Sequence, residues 1–275
     1  MMGKRNDTQL DLFAAVDRPR GTPSSTPDGP RPLAPEAFDD ETLIAVLPEA
    51  DMTDATILAA EATRRRLTAA IPALERLCRR FAGFGLSQPV KEQVAALDAL
   101  AGIGGEAAAR AVAQIIAKGV VQGPTLPAAV AAAARLGVVL PPEAALSLLC
   151  HAAPQARADA CRCVRFRPDI AAILIDLLGD LHQDVADQAA LALGRMGQTE
   201  ARPSLLRLLR DRPTAEAVDA IAEIADEEAV VVLGRIARAG TDLSQRAQDA
   251  LAVIDHPVAA RLRKALDTVD AVDTA

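Results

Sequence analysis

Three groups of residues in this 275-residue chain have the types and spacing to do chemistry. Cys150 and His151 are adjacent, and Cys161 and Cys163 follow shortly after. Cysteine and histidine in that number are the donor set of a structural zinc site. Two positions apart on a helix, however, Cys161 and Cys163 point to different faces and do not close on one ion. Cysteine in packed helices more often acts as a small apolar side chain, and Cys78 has apolar neighbours that fit that role. Neither a metal site nor any other cofactor is expected. His182 stands close to Asp184, and His256 follows Asp255. A carboxylate can orient a histidine as a general base, but both pairs fall in turns, where they serve as caps or surface pairs. The chain has no glycine-rich phosphate loop, nucleophile elbow or metalloprotease motif. No catalytic residue is assigned, and the expectation is a protein that binds rather than an enzyme.

The arginines have a clearer spacing. If Leu74, Leu205, Leu233 and Leu262 are equivalent, Arg76, Arg207, Arg235 and Lys264 follow each of them at the same interval. Arg79, Arg210 and Arg238 follow three positions further on, which keeps each pair on one helix face. Arg207, Arg210, Arg235, Arg238, Arg261, Arg263 and Lys264 would then form a basic stripe able to meet a DNA backbone or an acidic protein. A second account is purely structural, since cations near helix C-termini are favoured by the helix dipole. Leu148 and Asp176 interrupt the stripe earlier in the chain. The run Arg64–Arg65–Arg66 reads as a solvated helix end.

The third group is a peptide, Gln9-Leu10-Asp11-Leu12-Phe13. It resembles, at all five positions, the motif by which bacterial replication and repair proteins bind the DNA sliding clamp. By average residue usage, a chance match in a chain of this length is on the order of one in a few thousand. The resemblance implies that Leu12 and Phe13 enter an apolar pocket, Gln9 hydrogen-bonds at its rim, Leu10 packs in a shallower site and Asp11 faces water. A few side chains would carry most of the binding energy. The alternative is that Leu10, Leu12 and Phe13 fold back onto the rest of the chain.

These residues must be positioned by helices. Sixty of the 275 residues are Ala and 33 are Leu, whereas Trp and Tyr are absent and Phe numbers five. Ala and Leu favour helices, and β-branched and aromatic residues favour sheets, so an all-β fold is excluded. The lack of Trp and Tyr also counts against base flipping and against single-strand stacking platforms. Residues 1–17 form a polar tail carrying the peptide, and 18–37 hold six prolines and read as a flexible linker. From 38 to 270 helical periodicity takes over, and 271–275 read as a disordered end.

Within 38–270 an apolar residue, two further positions, and an apolar residue before a turn recur. Examples are Leu100/Ile103, Leu193/Met196, Ile221/Ile224 and Leu251/Ile254. The interval is about 30 residues, the signature of a repeat of helix pairs. Pro72 and Pro203 share an early slot in the second helix, where a missing N–H costs little. Seven pairs are predicted, at 51–86, 88–119, 124–153, 154–181, 182–212, 213–240 and 241–269, after a capping helix at Asp39–Leu47. One pair cannot cover its own apolar faces, so neighbours must stack. Residues 51–269 resemble the HEAT-repeat family, most closely from Asp184 to Leu209. The resemblance implies an all-α, right-handed α-solenoid whose second helices line the concave surface.

A net charge of −7 excludes nonspecific nucleic-acid binding by the whole chain. The N-terminus lacks an apolar segment of the secretory kind, and the longest apolar run, Leu126–Ala134, is too short to span a bilayer. A cytoplasmic location is expected. The functional expectation is a non-catalytic scaffold on the sliding clamp that offers a groove to DNA or to a replication or repair protein. Two alternatives stay open: a general interaction scaffold with no clamp link, and a HEAT-like DNA glycosylase or lyase subunit. The glycosylase family uses aromatic residues, Trp prominently, beside an acidic residue. With no Trp or Tyr here, no catalytic position carries over.

Overall fold

The computed structural model describes residues 34–85 and 87–273, with side chains described as far as 266. The described residues form fifteen α-helices and no strand. Helix α1 (Asp40–Val46) stands first. It is followed by α2 (Met52–Arg64) and α3 (Ile71–Arg80), α4 (Lys91–Ile103) and α5 (Gly105–Ala117), and α6 (Leu126–Arg135) and α7 (Pro142–Leu149). Then come α8 (Pro154–Arg162) and α9 (Pro168–Leu177), α10 (Gln183–Arg195) and α11 (Arg202–Asp211), α12 (Ala215–Ala222) and α13 (Glu227–Arg238), and α14 (Ser244–Val253) and α15 (Pro257–Asp273). The last helix runs three residues into the interval 271–275. None of the described helices is long and apolar enough to cross a membrane.

Local chemistry explains the boundaries. The carboxylate of Asp39 accepts from the backbone N–H of Thr42 at 2.7 Å, and Asp51 accepts from Thr53 and Asp54 at 3.0 Å. These bonds satisfy N–H groups that a helix start leaves without partners. Thr214 and Asp226 do the same for α12 and α13. Proline occupies the first turn of α3, α6, α7, α8, α9 and α11. First helices such as α6 and α10 end at Gly137 and Gly197, with φ of 64° and 72°. There the next N–H reaches back to a free carbonyl: Val138 to Ala133 at 2.9 Å and Gln198 to Leu193 at 3.0 Å.

Packing follows chain order. The first helices touch in one unbroken row, α2 on α4, then α6, α8, α10, α12 and α14. Each second helix also rests on the next first helix, as α3 does on α4 and α13 on α14. Buried alanines line the first row, among them Ala96, Ala129, Ala133, Ala156, Ala160, Ala189, Ala190, Ala217 and Ala220. Their small size lets backbones approach closely. Gly194 on α10 is one tight point: a Cβ there would stand 2.9 Å from the Ala220 Cβ of α12 and 2.7 Å from Leu205 Cδ1. Leu100, Leu149, Leu193 and Leu205 are fully buried between the helices. At about 25 cal/mol per Å² of apolar area removed from water, such side chains supply most of the driving force.

The packed array starts earlier than residue 38. Pro35 is buried, and Arg65 reaches its carbonyl. Its guanidinium donates to the carbonyls of Phe38 at 2.9 Å and Pro35 at 3.1 Å, and pairs with Asp40 at 2.8 Å. Arg65 is therefore not part of a solvated helix end, whereas Arg64 and Arg66 on either side are exposed.

Candidate functional site

Tight packing of α8, α10 and α12 through alanine brings the polar edges of these helices together. They enclose a cleft of about 300 Å³, with the end of α11 at its rim. Two carboxylates lie almost wholly buried there, Asp159 of α8 at 7% exposure and Asp187 of α10 at 5%. Each receives an amide from the glutamine one turn earlier. Gln155 Nε2 donates to Asp159 Oδ2 at 3.3 Å, and Gln183 Nε2 to Asp187 Oδ1 at 2.7 Å.

Beyond that the two differ. Asp187 also accepts from Arg207 at 2.9 Å and forms a short contact with Arg212, so its charge is compensated. Asp159 has no ion pair among the described residues. Burial raises its pKa, against smaller opposing effects of the Gln155 bond and the Arg162 charge. Beside them, the buried Oε1 of Gln188 accepts no hydrogen bond. A cleft with an unsatisfied acceptor and a carboxyl whose pKa is raised by burial can bind a hydrogen-bond donor. Among the described residues no three His, Cys, Asp or Glu side chains come close enough to hold a metal.

The residues singled out by sequence are distributed as follows. Gln9, Leu10, Asp11, Leu12 and Phe13 lie outside the described residues. Arg207 reaches back to Asp187 at the cleft, and Arg210 pairs with Glu228 of α13. Arg238 donates to the Gly234 carbonyl of its own helix at 3.0 Å, and Arg263 to the Ala252 carbonyl at 2.9 Å. Arg235, Arg261 and Lys264 are exposed and form no salt bridge with a described carboxylate. Four of the seven basic side chains thus already hold partners. Cys78, Cys161 and Cys163 are buried, and burial pushes each thiol up to about 12. Cys150 is exposed. His182 lies against Asp180 at 3.3 Å rather than Asp184. His256 Nδ1 accepts from the Val258 N–H at 3.2 Å, as a helix cap.

The cleft carboxylates were not singled out from sequence, although a signal exists. Gln-x-x-x-Asp occurs at 155–159 and again at 183–187, close to one repeat apart. In comparisons with known proteins, the chain matches no family model and no curated protein.

Proposed function

We propose that the chain is a HEAT-like, right-handed α-solenoid that acts as a binding scaffold. In this reading Gln9–Phe13 docks on the bacterial DNA sliding clamp, while the helix pairs offer a groove to DNA or to a replication or repair protein. The observation that carries the reading is the five-for-five pentapeptide, which stands apart in sequence from an array whose packing begins at Pro35. Helix pairs that pack on their neighbours in chain order support the scaffold half, since this is how repeat arrays expose long binding faces. Calorimetric titration of a purified clamp with the full chain tests the docking half. Binding that disappears in Leu12→Ala/Phe13→Ala is the expected result. A clamp that does not bind the unmutated chain removes the proposal.

One observation favours a second reading. Asp159 is buried in a cleft, carries no ion pair among the described residues, and has its pKa raised by burial, the direction that suits a general acid. Release of a damaged base from alkylated duplex DNA, lost in Asp159→Asn, would replace the scaffold with an enzyme.

A further inference from the structure

We propose that the turn between α8 and α9, together with the C-terminal end of α10, is a contact site for single-stranded nucleic acid. Arg165 and Arg195 would hold phosphates, and Phe166 would stack on one base. The inference does not depend on clamp docking and can be tested without a clamp.

Three observations carry it. First, Arg165, Phe166 and Arg195 line one hollow of about 430 Å³, floored by Ala192 and Met196. Arg165 and Phe166 come from the turn, and Arg195 ends α10, so two separate elements converge. Second, Phe166 is 54% exposed. The sequence holds only five Phe and no Trp or Tyr, yet this ring is turned to solvent between Arg165 and Arg167. Composition argued against a stacking platform, but one base needs only one ring.

Third, the two arginines of the hollow form no salt bridge with a described carboxylate. Many arginines of the array, Arg157, Arg207 and Arg246 among them, form salt bridges. Arg165 and Arg195 are exposed and form none with described carboxylates. Arg162 lies near enough that its charge, after desolvation, pulls the Arg195 guanidinium below its ordinary pKa, while Glu216 acts in the opposite direction. Arg167, next in the chain, is already neutralised by Asp169 at 2.9 Å.

Helix ends explain why basic residues gather here, since α8 ends at Arg162 and α10 at Arg195. They do not explain two guanidiniums without salt bridges to described carboxylates beside an exposed ring. A polyanion with flat, unstacked faces satisfies both parts. A duplex offers the phosphates but keeps its bases stacked, and an acidic peptide offers charge without a base for the ring.

Fluorescence anisotropy of the full chain with a labelled twenty-nucleotide oligothymidine tests the proposal, with a duplex and an oligoglutamate as competitors. Two neutralised phosphates predict a log–log salt slope of about −1.4. Phe166→Ala should weaken single-strand binding about tenfold, and Arg165→Glu/Arg195→Glu should abolish it. Arg261→Glu/Lys264→Glu should leave it unchanged. Unaltered circular dichroism and melting would show that the variants fold. No binding at low salt, equal binding of Phe166→Ala, or stronger competition by the duplex or by oligoglutamate would each overturn the proposal.

Discussion

Glu61 on α2 and Asp159 on α8 are both acidic side chains buried on first helices, each 7% exposed, and their surroundings are opposite. Glu61 accepts from Arg64 at 2.7 and 2.6 Å and from Arg65 at 2.6 Å. The bonds from Arg64, then those from Arg65, bring its pKa down to about 2 despite desolvation. Arg65 extends the network to Asp40 and to the carbonyls of Pro35 and Phe38. At Asp159 a single amide at 3.3 Å replaces two guanidiniums, and burial wins. Burial alone therefore does not fix the state of a carboxylate in this array. The first is a knot that holds an end in place, and the second is a poised group beside an open cleft.

The largest expected effect comes from untying the knot. Arg65→Ala removes every side-chain bond that holds residues 35–40 to α2. Amide exchange there should rise to nearly unprotected rates while α4 to α14 stay protected. Equal protection in both proteins would show that apolar contacts of Leu43 and Leu47 suffice. Next in size is Gly194→Ala, which forces α10 and α12 apart beside Asp187. Overpacking of this kind costs about 1–3 kcal/mol, to be read from chemical denaturation. An unchanged midpoint would mean that Leu205 and Ala220 yield without cost.

The pH dependence separates the two carboxylates. Glu61 has a lowered folded pKa, so its contribution is complete above 4.5 and is lost as pH falls to about 2. Thermal melting of the wild type should fall more steeply across that window than melting of Glu61→Gln. Parallel curves would remove the knot from the acid response. The smallest effect has the reverse sign. Asp159 has a raised folded pKa, so stability declines as pH rises through and above 3.8. Asp159→Asn should raise the neutral melting temperature by about 1–2 °C, a small gain because solvent reaches the cleft. That gain should vanish below 3.8.

The helices were legible because apolar spacing and turn residues are local. Leu193, Met196 and Gly197 announce the end of α10 within a few positions, and Pro203 announces the start of α11. The partners of the arginines were not local. Arg207 meets Asp187 and Arg210 meets Glu228, each about twenty residues away on another helix. Spacing shows which face a cation occupies but not whether the neighbouring helix presents a carboxylate. Likewise nothing adjacent to Arg65 in sequence announces the Pro35 and Phe38 carbonyls. The cleft was hidden for the same reason: Asp159 and Asp187 read as ordinary polar positions until alanine packing closes water out from around them.

The two helix rows also differ in continuity. The first row touches at every step, whereas in the second row α5 and α7, and α9 and α11, scarcely meet. An alanine seam on one side and gaps on the other make the array anisotropic to bending. Flexing that spreads the second helices at the α5–α7 and α9–α11 steps breaks few contacts, while flexing that spreads the first row breaks a continuous line of them. The seam should therefore act as the binding of a book, with the α8–α10 cleft set in it and moving least as the outer edges open.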